Sequence, residues 1–242
     1  NRLGMSQRPR TIPEKQAVAA VGQGLLMQMY EKLFGEYGLV VGQLLLTRDD
    51  FTHRKRHVNC RNTIESLWRM GAIPVVNEND TVAVDEIKFG DNDTLAALVA
   101  GLMAADLLII LSDVDGVFDK DPRGDRSAQL LPVIEAITPE LVEAAGGPGT
   151  LFGSGGMSTK VRAAKMATAG GTATVIANGS RPGVIRAILG GEAAGTLFVP
   201  RPEKMAGRKR WIAFYLPAQG EVYVDAGAGK ALVEGGKSLL PA

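Results

Sequence analysis

The chain has 242 residues, with 27 Lys and Arg against 26 Asp and Glu, for a net charge of +1. That length buries a sizeable core and holds one large domain or slightly more. Balanced charge supplies no global field for nucleic acid or a membrane surface. A composition of 45% hydrophobic and 22% charged residues is that of a globular domain, not of a disordered chain. Cys60 is the only cysteine, which excludes an intrachain disulfide and a cysteine-built zinc site. No apolar run is long enough to cross a bilayer as a helix and no secretory leader is visible, so a cytoplasmic location is expected.

Thr11 followed by Pro13 reads as a helix start, a cap-type side chain and then proline in the first turn. The helix should run from Glu14 to Phe34, with Val18, Val21, Leu25, Met29 and Leu33 at helical spacing, and stop at Gly35. Val40–Leu46 reads as a strand ending in Thr47-Arg-Asp-Asp50. His53 and His57 lie four apart, but flanking cations and the lack of a carboxylate make them poor metal ligands, and the segment reads as a solvated basic loop. A helix over Cys60–Met70 and a strand over Ala72–Val76 follow, the strand ending in Asn77-Glu-Asn-Asp80. Asp93–Ala105 is apolar around nearly its whole circumference, which predicts a helix buried between layers, with Asp93 or Thr94 as its cap.

Leu107–Leu111 is continuously apolar, the pattern of a central parallel strand. Further on come a helix near Thr138–Ala145, a second after a glycine turn at Gly153, a strand over Ala173–Ala177, a helix over Gly183–Leu189 and a strand over Thr196–Val199. Alternating strands and helices predict an α/β fold, a three-layer sandwich around a mostly parallel sheet, with ligands beyond the carboxyl ends of the strands. After Pro200 the texture changes to a charged, turn-prone linker. Trp211–Tyr215 and Gly220–Asp225 then read as short strands and Ala226–Glu234 as a small helix. A boundary is expected near residue 203, dividing the chain into 1–203 and a partial second unit, 204–242.

Three segments carry chemistry. Gly153-Ser-Gly-Gly-Met-Ser-Thr-Lys160 runs a glycine-rich turn into a helix, whose free N–H groups and dipole suit a phosphate, with Lys160 one turn in. It is neither a P-loop nor G-x-G-x-x-G, because the lysine follows the last glycine by four residues. Asn77–Asp80 and Gly90-Asp-Asn-Asp93 concentrate carboxylates and amides, a set whose natural occupants are an ammonium group and magnesium, unless these are two ordinary turns. Ser112-Asp113-Val-Asp115, after a buried strand, offers a hydroxyl and carboxylates for a ribose and a base edge. Arg208-Lys-Arg-Trp211 joins charge to an aromatic in the manner of an RNA contact, but reads more simply as a solvated linker edge, and no nucleic-acid partner is expected.

Taken together, Val75–Asp80, Glu86-Ile-Lys-Phe-Gly-Asp-Asn-Asp93, Leu111–Pro122 and Gly155–Lys160 resemble the amino acid kinase superfamily, most closely its glutamate 5-kinase branch. Arg208–Trp211 resembles the lead into a PUA domain. The resemblance implies transfer of the ATP γ-phosphoryl to the side-chain carboxylate of L-glutamate, the first step of proline biosynthesis. It assigns Asn77, Asp80, Asp91 and Asn92 to the substrate, with Asp80 meeting its ammonium. Asp93 would orient the catalytic groups. Ser112 and Asp113 would lie on the nucleotide. Ser154, Gly155, Gly156, Met157, Ser158 and Thr159 would hold its phosphates, and Lys160 would stabilise the transferring group. Mg2+ would bridge the β- and γ-phosphates, with no protein ligand named for it.

A homo-oligomer and feedback inhibition by proline are also implied by resemblance alone. The family's opening strand and lysine-bearing glycine loop, and its Ser-Gly loop, do not appear before Asn1. Both ends are accordingly expected to be cut, and the chain by itself to be weakly active or inactive. Competing readings are a uridylate, acetylglutamate or aspartate kinase, and a nucleotide-binding fragment without turnover.

Overall fold

The structure, a computed structural model, describes residues 9–83, 91–120, 122, 124–138, 141, 156–200, 212–213 and 220–237. In chain order the elements are α1 (Ile12–Gly35), β1 (Val40–Leu46), α2 (Arg48–Thr52), α3 (Arg54–Arg69), β2 (Ala72–Glu78), α4 (Asn92–Met103) and β3 (Leu107–Ser112). They continue with β4 (Val133–Ile134), α5 (Gly156–Ala169), β5 (Ala173–Asn178), α6 (Val184–Leu189), β6 (Thr196–Phe198) and α7 (Ala226–Val233).

The first helix starts where its cap chemistry says. The Thr11 hydroxyl accepts from the Glu14 N–H, and the Glu14 carboxylate accepts in return from the Thr11 N–H at 3.1 Å, with Pro13 inside the first turn. These backbone donors hold the Glu14 carboxyl below its ordinary value. The basic segment before Cys60 is a helix and not a loop: α3 begins at Arg54. Cations at a helix start oppose its dipole. Here Asp50 lies 3.6 Å from Arg56 and offsets one of them. Asp50 also accepts from the Thr47 N–H at 2.7 Å, capping the start of the short helix α2 in which it lies.

The described strands form two sheets. β1 and β2 pair in parallel from Val40 opposite Ala72 to Leu46 opposite Glu78. The second sheet has the order β3-β5-β6-β4, with β3–β5 and β4–β6 parallel and β5–β6 antiparallel. The fold is therefore α/β with mostly parallel pairing. Among the described strands β3 pairs only with β5 and so stands at an edge of its sheet, not in the central place its composition suggests, and Leu111 is 46% exposed.

Alternation along β5 sets the layers. Ile176 faces one core with Val161 and Ala164 of α5, while Val175 and Ala177 face another with Val184 and Ala187 of α6. Helices thus cover both faces of the second sheet. α4 joins the two halves: Ala97 enters the core of the second sheet, while Leu95, Leu98 and Leu102 pack with Leu44, Leu46 and Ile64 of the first. Burying each such large side chain stabilises the fold by about 1.5–3 kcal/mol.

The turn before β6 explains its glycine. Gly195 has φ +110, and a Cβ there would stand 2.3 Å from the Ile176 carbonyl oxygen. Only glycine fits so close an approach. Beside it the buried Thr196 hydroxyl accepts the Val117 N–H at 2.8 Å, tying the loop after β3 to the sheet.

Beyond Pro200 the expected β-rich unit is not formed in the described residues. Residues 220–225 have no regular structure, are exposed and pair in no sheet, and only the small helix α7, capped by Asp225, matches the reading. Three residues of alternating Val and Tyr suggest a strand, but an isolated extended segment has no ladder to stabilise it. The helix expected near Thr138–Ala145 falls largely outside the described residues, as does Trp211.

Candidate functional site

Two helix starts meet at one point. Asp93 sits in the first turn of α4, and Thr159 and Lys160 lie one turn into α5. Both reach the same Asp93 oxygen, Oδ2: Thr159 Oγ1 donates at 2.8 Å and Lys160 Nζ at 2.9 Å. The Thr159 hydroxyl is also 2.9 Å from the Gly156 carbonyl. The two charged side chains are only 16% and 17% exposed, so this is a shielded ion pair. The start of α5 and the Asp91-Asn-Asp93 segment, some 66 residues apart in sequence, are therefore brought together.

The cap of α4 is Asp91, not Asp93 or Thr94. Its Oδ1 accepts the Thr94 N–H at 2.6 Å and its Oδ2 accepts the Thr94 hydroxyl at 3.0 Å. Asp91 has the extended backbone of a cap residue, which leaves Asp93 inside the first turn with its carboxylate available to Lys160. Asn92, the first residue of α4, is exposed. In α5, Met157 packs against the core, so its backbone and not its side chain faces any ligand. Gly156 is exposed at the helix start, and Ser158 and Thr159 follow partly buried. Ser154 and Gly155 lie outside the described residues.

Asn77 belongs to β2 itself, which extends through Glu78, opposite Leu45 of β1. Its Nδ2 donates to Gln23 Oε1 of α1 at 3.0 Å and its Oδ1 accepts the Glu78 N–H at 2.9 Å. Asn79 turns the chain: its N–H donates to the Leu46 carbonyl and its own carbonyl accepts from Val82 and Ala83, leaving Asp80 exposed at the apex.

At the carboxyl end of β3, Ser112 Oγ donates to Asp113 Oδ1 at 3.2 Å. The Gly179 N–H donates to the Ser112 carbonyl, and Asn178 Nδ2 donates to Asp115 Oδ1 at 2.9 Å, which stitches this loop to the end of β5. Sequence reasoning missed Asn178 and Gln23. Gln23 was legible only as one of three glutamines in α1, seven after Gln16. A cavity of about 350 Å3 lined by Leu44, Leu46, Asp50, Arg56, Cys60 and Thr63 shares no residue with these groups. Burial, with the Asp50 charge adding to it, pushes the Cys60 thiol up to about 11.

Parallel strands whose carboxyl ends carry hydroxyls, carboxylates and amides, together with a helix start bearing a clamped lysine, define an α/β protein with its polar groups gathered at the strand ends. The chain belongs to the amino acid kinase family, whose sequence model matches residues 2–178. It is 55% identical over 240 residues to the glutamate 5-kinase of Moorella thermoacetica, covering 99% of this chain and 64% of that one. It is 54% identical over 240 residues, with the same coverage, to the glutamate 5-kinase of Caldanaerobacter subterraneus subsp. tengcongensis. The chain thus spans about 64% of the length of these curated relatives. Among solved structures, isopentenyl phosphate kinases share the fold. One aligns with a TM-score of 0.53 at 23% identity over 73% of this chain and 66% of that one. The enzyme of T. acidophilum aligns at 0.52 and 18%, over 79% and 73%.

Proposed function

We propose that this site transfers the γ-phosphoryl group of ATP to the side-chain carboxylate of L-glutamate, giving γ-glutamyl phosphate and ADP. The observation that carries the reading is the convergence of Lys160 and Thr159 on Asp93 at two helix N-termini, in a chain 55% identical to a glutamate 5-kinase. Phosphoryl transfer asks little covalent chemistry of a protein; it asks for alignment and neutralised charge. The free N–H groups at the start of α5 suit the nucleotide phosphates. Asp93 holds the Lys160 ammonium beside them, so the charge developing on the transferring group meets a cation already in position.

Ser112 and Asp113, at the end of β3, take the nucleoside side. Asn77, Asp80, Asp91 and Asn92 take the amino acid, Asp80 at its ammonium and the amides at its carboxylate. Asp91 does so through the α4 start that it caps, since both its oxygens serve Thr94. Magnesium would arrive with the nucleotide and neutralise charge on its phosphates. Residues 1–203 form the kinase unit and 204–242 open a second, PUA-like one, a division supported by the change of composition after Pro200. A homo-oligomer, inhibition by proline and a cytoplasmic setting belong to the same reading; among the described residues no helix is long and apolar enough to cross a membrane.

The test is calorimetry with Mg2+ and a non-hydrolysable ATP analogue, followed by trapping of the product of turnover with hydroxylamine. L-glutamate is expected to bind in the presence of the analogue, and turnover with ATP to hydroxamate to be weak for this chain by itself. A chain that binds UMP in place of glutamate, or neither glutamate nor nucleotide, refutes the assignment.

A further inference from the structure

The geometry points to Gln23 of α1 as a further substrate-binding residue, one that donates a hydrogen bond to a carboxylate of the amino acid while orienting Asn77. The inference rests on the reading of the site as a glutamate site.

The orientation of both side-chain amides follows from one backbone bond. Asn77 Oδ1 accepts the Glu78 N–H, so the Asn77 NH2 points the other way, to Gln23. A donor there requires an acceptor, so Gln23 presents Oε1 and turns its own NH2 away from Asn77. That Nε2 is buried and meets no acceptor among the described residues. A flip of Gln23 does not relieve this: it would face two NH2 groups toward each other.

A buried amide donor without a partner costs about 1–3 kcal/mol, and such a group is retained where a ligand supplies the missing acceptor. The place fits that account. Gln16 and Gln23, two turns apart on α1, serve the end of β2 and the segment after it: Gln23 meets Asn77, and Gln16 Nε2 is 3.4 Å from the Ala83 carbonyl. The orphaned donor therefore stands beside Asn77 at the carboxyl end of β2, where the next turn presents Asp80 to solvent. Neutral N–H donors beside a carboxylate are the chemistry that receives a zwitterionic amino acid. The donors take its carboxylate and the acid takes its ammonium. A neutral amide also discriminates: it accepts an anion without the strong, unselective field of an arginine.

Two variants test the assignment, with glutamate and the ATP analogue titrated separately into each. Gln23→Glu keeps an oxygen for Asn77 but turns a second oxygen toward the substrate carboxylate. Gln23→Met removes both polar ends at similar volume. In each, glutamate affinity is expected to fall by about tenfold or more, with nucleotide affinity within about twofold of wild type. Gln23→Glu should also regain part of its glutamate affinity as pH falls and the new carboxyl protonates. Glutamate affinity within about twofold of wild type in either folded variant overturns the inference. So does a fall in thermal midpoint with glutamate and nucleotide lost together, which is the signature of a merely structural role. A wild-type chain that binds no glutamate overturns the functional reading instead, and is told apart by that control.

Discussion

Replacing Asp93 by asparagine removes the charge to which Lys160 is held while keeping the shape and an oxygen for Thr159. At 2.9 Å and an effective dielectric near 20, the gross attraction between the two charges is about 6 kcal/mol. Desolvating both groups cancels much of it, and removing one partner of a fully buried pair costs about 3–5 kcal/mol. With roughly one sixth of each side chain open to water, and an asparagine oxygen still able to accept from Lys160, we expect Asp93→Asn to cost about 2 kcal/mol. A double-mutant cycle with Lys160→Met, read from urea midpoints by circular dichroism, should give a coupling of about 1–2 kcal/mol. Because the pair is shielded, most of that coupling should persist in 1 M salt, where the Debye length is only about 3 Å. Nucleotide binding should survive in Asp93→Asn, but phosphoryl transfer should not. A coupling below about 0.3 kcal/mol, or one erased by salt, would show that the pair is a surface contact and that Asp93 does not position Lys160.

Two glycines should respond in opposite ways. Gly195→Ala places a Cβ 2.3 Å from a backbone oxygen at φ +110, and is expected to destabilise the fold by about 3 kcal/mol or more; Gly24→Ala, in the interior of α1 with nothing within 4 Å, should stabilise it by about 0.5–1 kcal/mol. Equal effects in chemical denaturation would contradict the close approach at the turn before β6. The Cys60 thiol gives an alkaline signature. Its folded value, about 11, lies above the ordinary 9.0 because of burial first and the Asp50 charge second. The unfolded chain therefore releases this proton earlier. The contribution is fully present below pH 9 and is lost as pH rises toward 11, by at most about 2–3 kcal/mol. Stability curves of wild type and Cys60→Ala that stay parallel from pH 8 to about 10.5 would reject that account.

What was legible in the chain was the chemistry that acts over one turn. Thr11, Pro13 and Glu14 declare the start of α1, and the capping box forms as written. The glycine turn declares a helix from Gly156 with Lys160 one turn in, and α5 follows. The errors share a cause: each depended on a partner outside the element being read. Leu107–Leu111 is apolar on every position and so reads as a covered central strand, but position in a sheet is set by which strands pair with it, and β3 pairs only with β5 among the described strands. β6 runs antiparallel to β5, and three residues, Thr196–Phe198, carry no mark of direction. The start of α3 was hidden because Arg54, Lys55 and Arg56 oppose the dipole, and the compensating Asp50 lies on another helix.

The site divides along the same line. Its members could be named from local patterns, but the act that makes them a site, Lys160 reaching Asp93 across 67 residues, could not. Gln23 lies furthest from sequence reasoning for the same reason. Among the three glutamines of α1, this one is unremarked until Asn77 fixes which way its amide must turn. Where a local pattern is already satisfied, a polar residue that breaks it is the place to look for a distant partner.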